Sequence, residues 1–168
     1  MKQYSVISNS TPLIAFIKKN ELSILKTLFK EIIIPKAVYD EILNTPRTLN
    51  KEGEILKKEI KKQWVLIKEI TTLKFPELNL GRGETEALNL CIESNNPLLL
   101  IDEKKARIIA KSLKIDVLGT LGILSLVKKR GLKNEQEILE NLDLLIKKGF
   151  YLSSEVILGF LNKIRKEL

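Results

Sequence analysis

Histidine is absent from this 168-residue chain, cysteine occurs once, and aromatic residues make up only 5%. Without histidine there is no Ser-His or Cys-His nucleophile, no His-ligated zinc and no imidazole base. Chemistry near neutral pH would have to come from carboxylates, lysine or metal-bound water. A single Cys91 excludes intramolecular disulfides and cysteine-rich metal sites. It falls in the apolar rhythm Ala87, Leu88, Cys91, Ile92 and reads as a small core residue. The shortage of aromatics argues against a row of stacking platforms for bases. Phosphate contacts would then dominate any nucleic-acid affinity and make it fall steeply with salt. Long apolar runs are also missing. The uncharged stretch Val117 to Val127 contains two glycines and is too short to span a bilayer. The opening MKQYSVIS reads as a short strand rather than a signal peptide, so the expected location is the cytoplasm.

What the chain has in surplus is positive charge, with a formal net charge of +8 and a pI near 9.5. That balance favours a polyanionic partner, with solubility as the competing explanation. The length suits one domain with a real core. Apolar runs alternate with helical periods, which predicts an α/β fold with a parallel sheet. Strands are expected at Ser5 to Ser8, Glu31 to Ile34, Trp64 to Ile67, Leu98 to Ile101 and Asp116 to Leu118. Ser10 or Thr11 is expected to cap a helix starting at Pro12, and Pro35 to open a helix through Val38 and Ile42. Gly81 and Gly83 lead tightly into the helix Glu84 to Ile92, and Thr120 is expected to cap LGILSLV. The segment KEGEILKKEIKKQW reads as a solvated, mobile helix, and Leu73 to Leu80, with Pro76, as a connecting loop. After Gly131 come two amphipathic helices, one with Leu139, Leu142 and Ile146 as its apolar face, the other with Val156, Phe160 and Ile164. The expected division is a core over 1–131 and a helical extension over 132–168 packed on it.

Oxygen-bearing side chains fall where the strands should end: Asn9, Glu41, Glu84, and Asp102 with Glu103. In open parallel sheets ligands collect at the carboxyl ends of strands, where helix N-termini also point. Glu41 lies more than a turn into its helix, but helical side chains lean back toward the N-terminus. Carboxylates gathered this way repel unless cations neutralise them, so the set reads as a divalent-metal pocket. Each member also has a plainer role. Asn9 fits a helix cap, Glu84 a partner for its own helix dipole, Glu41 a solvated face, and Asp102 or Glu103 a helix start. Glu86, two residues on from Glu84, is expected to point away from it. Gly81-Arg82-Gly83 fails as a dinucleotide fingerprint because the last small position would be Glu86.

The segments VISNSTPLIAF, IIIPKAVYDEIL, LGRGETEALNLC, LLLIDEKKARIIAKSLKI and VLGTLGIL resemble the PIN-domain nucleases, the fold of VapC-type toxin ribonucleases. The likeness is closest to the branch labelled as a domain of unknown function and runs from Val6 to Gly131. It implies a three-layer α/β/α fold with a central parallel sheet and additional C-terminal helices. It also implies a metal-dependent endoribonuclease using Mg²⁺ or Mn²⁺. The family's site positions fall on Asn9, Glu41, Glu84 and Asp102, with Thr11 as a supporting hydroxyl and Asn9, Glu84 and Asp102 as metal ligands. Arg82, Lys104, Lys105 or Arg107 would be the candidates to guide the RNA backbone, with ordinary solvation the plainer role of each, and DNA is a second candidate ligand. A small antitoxin partner and a homodimer belong to the same implication. The first family position is normally Asp, and Asn9 removes its charge, which weakens a metal site. The competing expectation is therefore a non-catalytic nucleic-acid-binding or regulatory module. At the fourth position the register leaves Asp102 and Glu103 as alternatives, with Asp102 favoured because it directly ends the apolar run.

Overall fold

A computed structural model of the protein describes residues 4–44, 51–75 and 78–166. Pro76 and the opening Met1, Lys2 and Gln3 lie outside the described residues. Five strands form one sheet: β1 (Ser5–Ser8), β2 (Ile32–Pro35), β3 (Val65–Lys68), β4 (Pro97–Leu100) and β5 (Asp116–Leu118). Their order is β3-β2-β1-β4-β5, and every pairing is parallel. The three middle strands sit one residue away from the expected bounds. Pro97 takes the first position of β4, where a missing N–H costs least. Ile101, expected inside that strand, still donates to the Leu118 carbonyl at 3.0 Å.

Alternation along the strands builds the layers, because successive side chains leave a strand on opposite faces. Val6 and Leu100 join one buried cluster, whereas Ile7, Leu99 and Ile101 join another. The second face is covered by α5 (Arg82–Ile92) and α6 (Lys104–Ser112), through Ala87, Leu88, Cys91, Ala106 and Ala110. Cys91 is thus a buried core residue, and burial pushes its thiol up to about 12. The first face receives α1 (Ser10–Lys18), α2 (Leu22–Phe29), α3 (Lys36–Leu43), α4 (Lys51–Lys61) and α7 (Thr120–Lys129). The solvated helix expected near residue 51 is α4, but Leu56 is fully buried and fastens one side of it to the core.

Several helix starts differ from expectation, α5 beginning at Arg82 rather than Glu84. The first helix begins at Ser10 with Asn9 at the N-cap, so Pro12 lies inside the first turn, where its missing N–H has no helical partner to lose. The seventh begins at Thr120 with Gly119 at the N-cap, which frees the Thr120 hydroxyl for another partner. Helices α8 (Glu135–Lys147) and α9 (Ser154–Lys166) complete the first layer. Asn134 and Glu137 form a capping box at the start of α8, with bonds of 2.9 and 2.8 Å. Its buried side is Ile138, Leu142 and Leu145, so the face is turned from the expected one, and Ile146 is 43% exposed. In α9 Phe160 and Ile164 are buried, but Val156 is 48% exposed.

A buried polar network ties α8 to the end of α1. The Lys19 side chain is fully enclosed; its ammonium donates to Glu21 at 2.9 Å and to Asn141 on α8, and lies 4.0 Å from the Phe16 ring centre. Burial drives the Lys19 pKa down, and the Glu21 carboxylate only partly offsets that. Burial would raise the Glu21 carboxyl, but bonds from Lys133 and Lys19 outweigh it and hold Glu21 below the usual carboxylate range. A depressed carboxyl stabilises the fold above its unfolded pKa, and that stability disappears as pH falls through the folded value. Urea melts from about pH 6 to about pH 3 are therefore expected to show a larger stability loss in the native protein than in Glu21→Gln. Parallel curves would show that Glu21 is not linked to folding.

Candidate functional site

The strand order reverses between β1 and β4, and in doubly wound sheets the crevice at such a reversal is where ligands bind. Asn9 leaves β1 there, with its backbone N–H on the Leu100 carbonyl at 2.9 Å. It holds the N-cap position of α1 in extended conformation, but its side chain makes no capping bond. Asn9 is 3% exposed, and its Oδ1 has no hydrogen-bond partner among the described residues. An unmade bond at a buried acceptor costs about 1–3 kcal/mol. The capping role open to an asparagine here is therefore not the one this side chain plays.

Asp102 leaves β4 beside it. Its Oδ1 accepts the Thr120 backbone N–H at 2.8 Å and its Oδ2 accepts the Thr120 hydroxyl at 2.6 Å. Thr120 is fully buried, so its side of both bonds is closed to water, while Asp102 stays partly open to the cleft. Burial raises the Asp102 carboxyl above its ordinary value; the Thr120 bonds and the Arg107 charge pull the other way without cancelling it. Gly119 lets these groups meet, because a Cβ there would collide with the Arg107 guanidinium and stand 2.9 Å from Asp102 Oδ1. Glu103, the register alternative, is the N-cap of α6 and accepts the Ala106 N–H.

Glu84 is partly buried in the first turn of α5, where its carboxylate accepts the Gly81 N–H at 2.8 Å. Thr11, Glu84 and Asp102 line one cleft. Glu41 does not. Its carboxylate accepts the Gly83 N–H at 2.8 Å, an approach that glycine permits because a Cβ would lie 2.6 Å from both oxygens. Of the basic candidates, Lys104 and Arg107 line the cleft, whereas Arg82 bonds Glu86 at 2.9 Å and Lys105 bonds the Asn79 carbonyl at 3.1 Å.

Glu86 is the residue that sequence reasoning undervalued. It does point away from the cleft, but it is 8% exposed and accepts the Ala37 N–H at 3.0 Å, capping the first turn of α3. Nothing local signals this, since the partners are 49 positions apart. The Thr120 hydroxyl, expected to cap its helix, bonds Asp102 instead.

Among the described residues no three Asp, Glu, Cys or His side chains come together as a metal cluster. Glu84 and Asp102 line the same cleft, and Asn9 follows β1, the strand paired with β4. Each Asp102 oxygen keeps a lone pair beyond its Thr120 bond, and Asn9 Oδ1 keeps both of its own. This donor set fits one hard cation held with less charge than a carboxylate triad would supply.

A family model described as a PIN domain (DUF3368) matches residues 5–166, nearly the whole chain. No curated protein matches it.

Proposed function

The chain belongs to the PIN-domain family, and we propose that it is a nucleic-acid-binding module that holds the phosphodiester backbone of single-stranded RNA at the carboxyl edge of its sheet. One observation carries this reading: the cleft that begins at Thr11, Glu84 and Asp102 continues along the cations Lys104, Arg107, Lys111 and Lys163. On a chain of net charge +8 that is a path for a polyanion whose inner end meets oxygen donors. Binding needs no carboxylate triad. DNA is the competing polyanion, and equal affinity for matched DNA and RNA strands would remove the RNA preference.

Asn9, Glu84 and Asp102 would hold Mg²⁺ or Mn²⁺, whose charge offsets carboxylate repulsion of a phosphate. The chain's own contribution is positional. Thr120 fixes both Asp102 oxygens, and Arg107 brings a second cation beside that carboxylate. Glu84 would leave its bond to Gly81 to join them.

A second reading is a toxin-type endoribonuclease with an antitoxin and a dimeric state of its own. The partnerless Asn9 Oδ1 favours it, as an inward oxygen with no structural bond to make. Fluorescence anisotropy with a labelled RNA of about 12 nucleotides tests both readings. Three or four phosphate contacts predict an affinity loss of about ten- to fifty-fold between about 50 and about 200 mM salt. No binding even at low salt would end the first reading. RNA cleavage in Mn²⁺ that disappears with chelator and in Glu84→Gln/Asp102→Asn would establish the second.

A further inference from the structure

The cleft extends well beyond the strand ends. Its volume is about 1150 Å³, and its outer part runs between α6, α7 and α9. Four features of that outer part have no role in the fold. Tyr151 stands on its rim at 92% exposure, although its neighbour Phe150 is packed against the core. The backbone holding it is ordered by a Schellman closure of α8: Phe150 N–H bonds the Leu145 carbonyl, and Gly149, at φ +82°, bonds the Ile146 carbonyl, both at 3.0 Å. Ser125 lines the cleft at 4% exposure, and its Oγ has no partner.

Gly159 is the third feature. It lies in the interior of α9 and lines the cleft, yet a Cβ built there meets nothing within 4 Å. Glycine inside a helix is unfavourable relative to alanine, and no close contact in this protein requires it. A long side chain at this position would stand in the cleft. The fourth feature is the charge on the walls, with Lys111 on α6 and Lys163 on α9.

From this combination we infer that the outer cleft is a base-binding subsite for single-stranded RNA. Tyr151 stacks on one base, and the apolar wall of Ile108, Leu121 and Val156 receives the edge of that base. Lys111 and Lys163 take the flanking phosphates. This rests on the backbone-binding reading above and adds to it the place where a base is held. One stacking platform suffices for one base, so the low aromatic content is no obstacle. Continuity with the strand-end donors and the basic walls favour nucleic acid over an acidic, amphipathic protein segment.

Anisotropy titrations of single-stranded RNA and of an abasic strand of equal length test the subsite. Tyr151→Ala and Gly159→Leu are each expected to weaken binding of the base-bearing RNA about ten-fold and to leave the abasic strand unchanged. Gly159→Ala serves as the folding control, with an expected rise in melting temperature of about 2–4 °C. If both variants bind base-bearing RNA as tightly as the native chain, the subsite is wrong while the backbone reading survives. If the native chain binds neither strand, the backbone reading itself fails. Failure of RNA binding together with capture of a synthetic Glu/Leu amphipathic helix, abolished by Gly159→Leu, would assign the cleft to a protein partner.

Discussion

Asn9→Asp is expected to lower the melting temperature of the chelator-treated protein by about 4–8 °C, corresponding to about 2 kcal/mol. The residue is 3% exposed, so the new carboxylate would be buried. It would also leave the sheet beside Asp102, whose carboxyl burial already raises. Two like charges taken from water together are unfavourable until a cation joins them. Mn²⁺ should therefore stabilise Asn9→Asp more than the native chain; saturation at a hundred times Kd adds about 2.7 kcal/mol. Differential scanning fluorimetry in chelator and in Mn²⁺ reads both effects. Identical Mn²⁺ shifts for the two proteins would show that position 9 is not a ligand position. RNA cleavage appearing only in the variant would show that the missing carboxylate is what restrains hydrolysis.

Phe16→Ala is expected to remove about 3–5 kcal/mol of stability, a large part of what a domain of this size possesses. Phe16 has no exposed surface and sits within the cluster that joins α1 to the sheet and to the C-terminal helices. Its ring also faces the enclosed Lys19 ammonium, so truncation removes a cation–π contact along with apolar contact. Urea denaturation measures the loss. Leu158→Ala, on a side chain 60% exposed, should stay within about 0.5 kcal/mol of the native value. A Phe16→Ala loss below about 1 kcal/mol would contradict its place at the centre of the core.

The sheet was legible because buried parallel strands are short, apolar and bounded by clear punctuation. Ile32 to Ile34 before Pro35 and Leu98 to Leu100 before Asp102 show this plainly. Strand ends were therefore legible as well, which brought Asn9, Glu41, Glu84, and Asp102 with Glu103 to attention as a group. Less was readable in the helices. The buried face of α8 is rotated from the expected one, and Ile138 rather than Ile146 meets the core. Partners separated by tens of residues left no local trace. Thr120 meets Asp102 across 18 positions, Glu86 meets Ala37 across 49, and Glu41 meets Gly83 across 42. Glu41 illustrates the difference: its position after a strand was right, but the bond that holds it depends on how α3 and α5 pack.

Lys19 has one more consequence. Its ammonium is shared between Glu21, three steps from its own helix, and Asn141, which arrives from α8. A shortened chain that stops at Gly131 would strip away Asn141 and leave a cation inside a greasy wall with half its escort. It would also bare the apolar surface that Ile138, Leu142 and Phe160 cover.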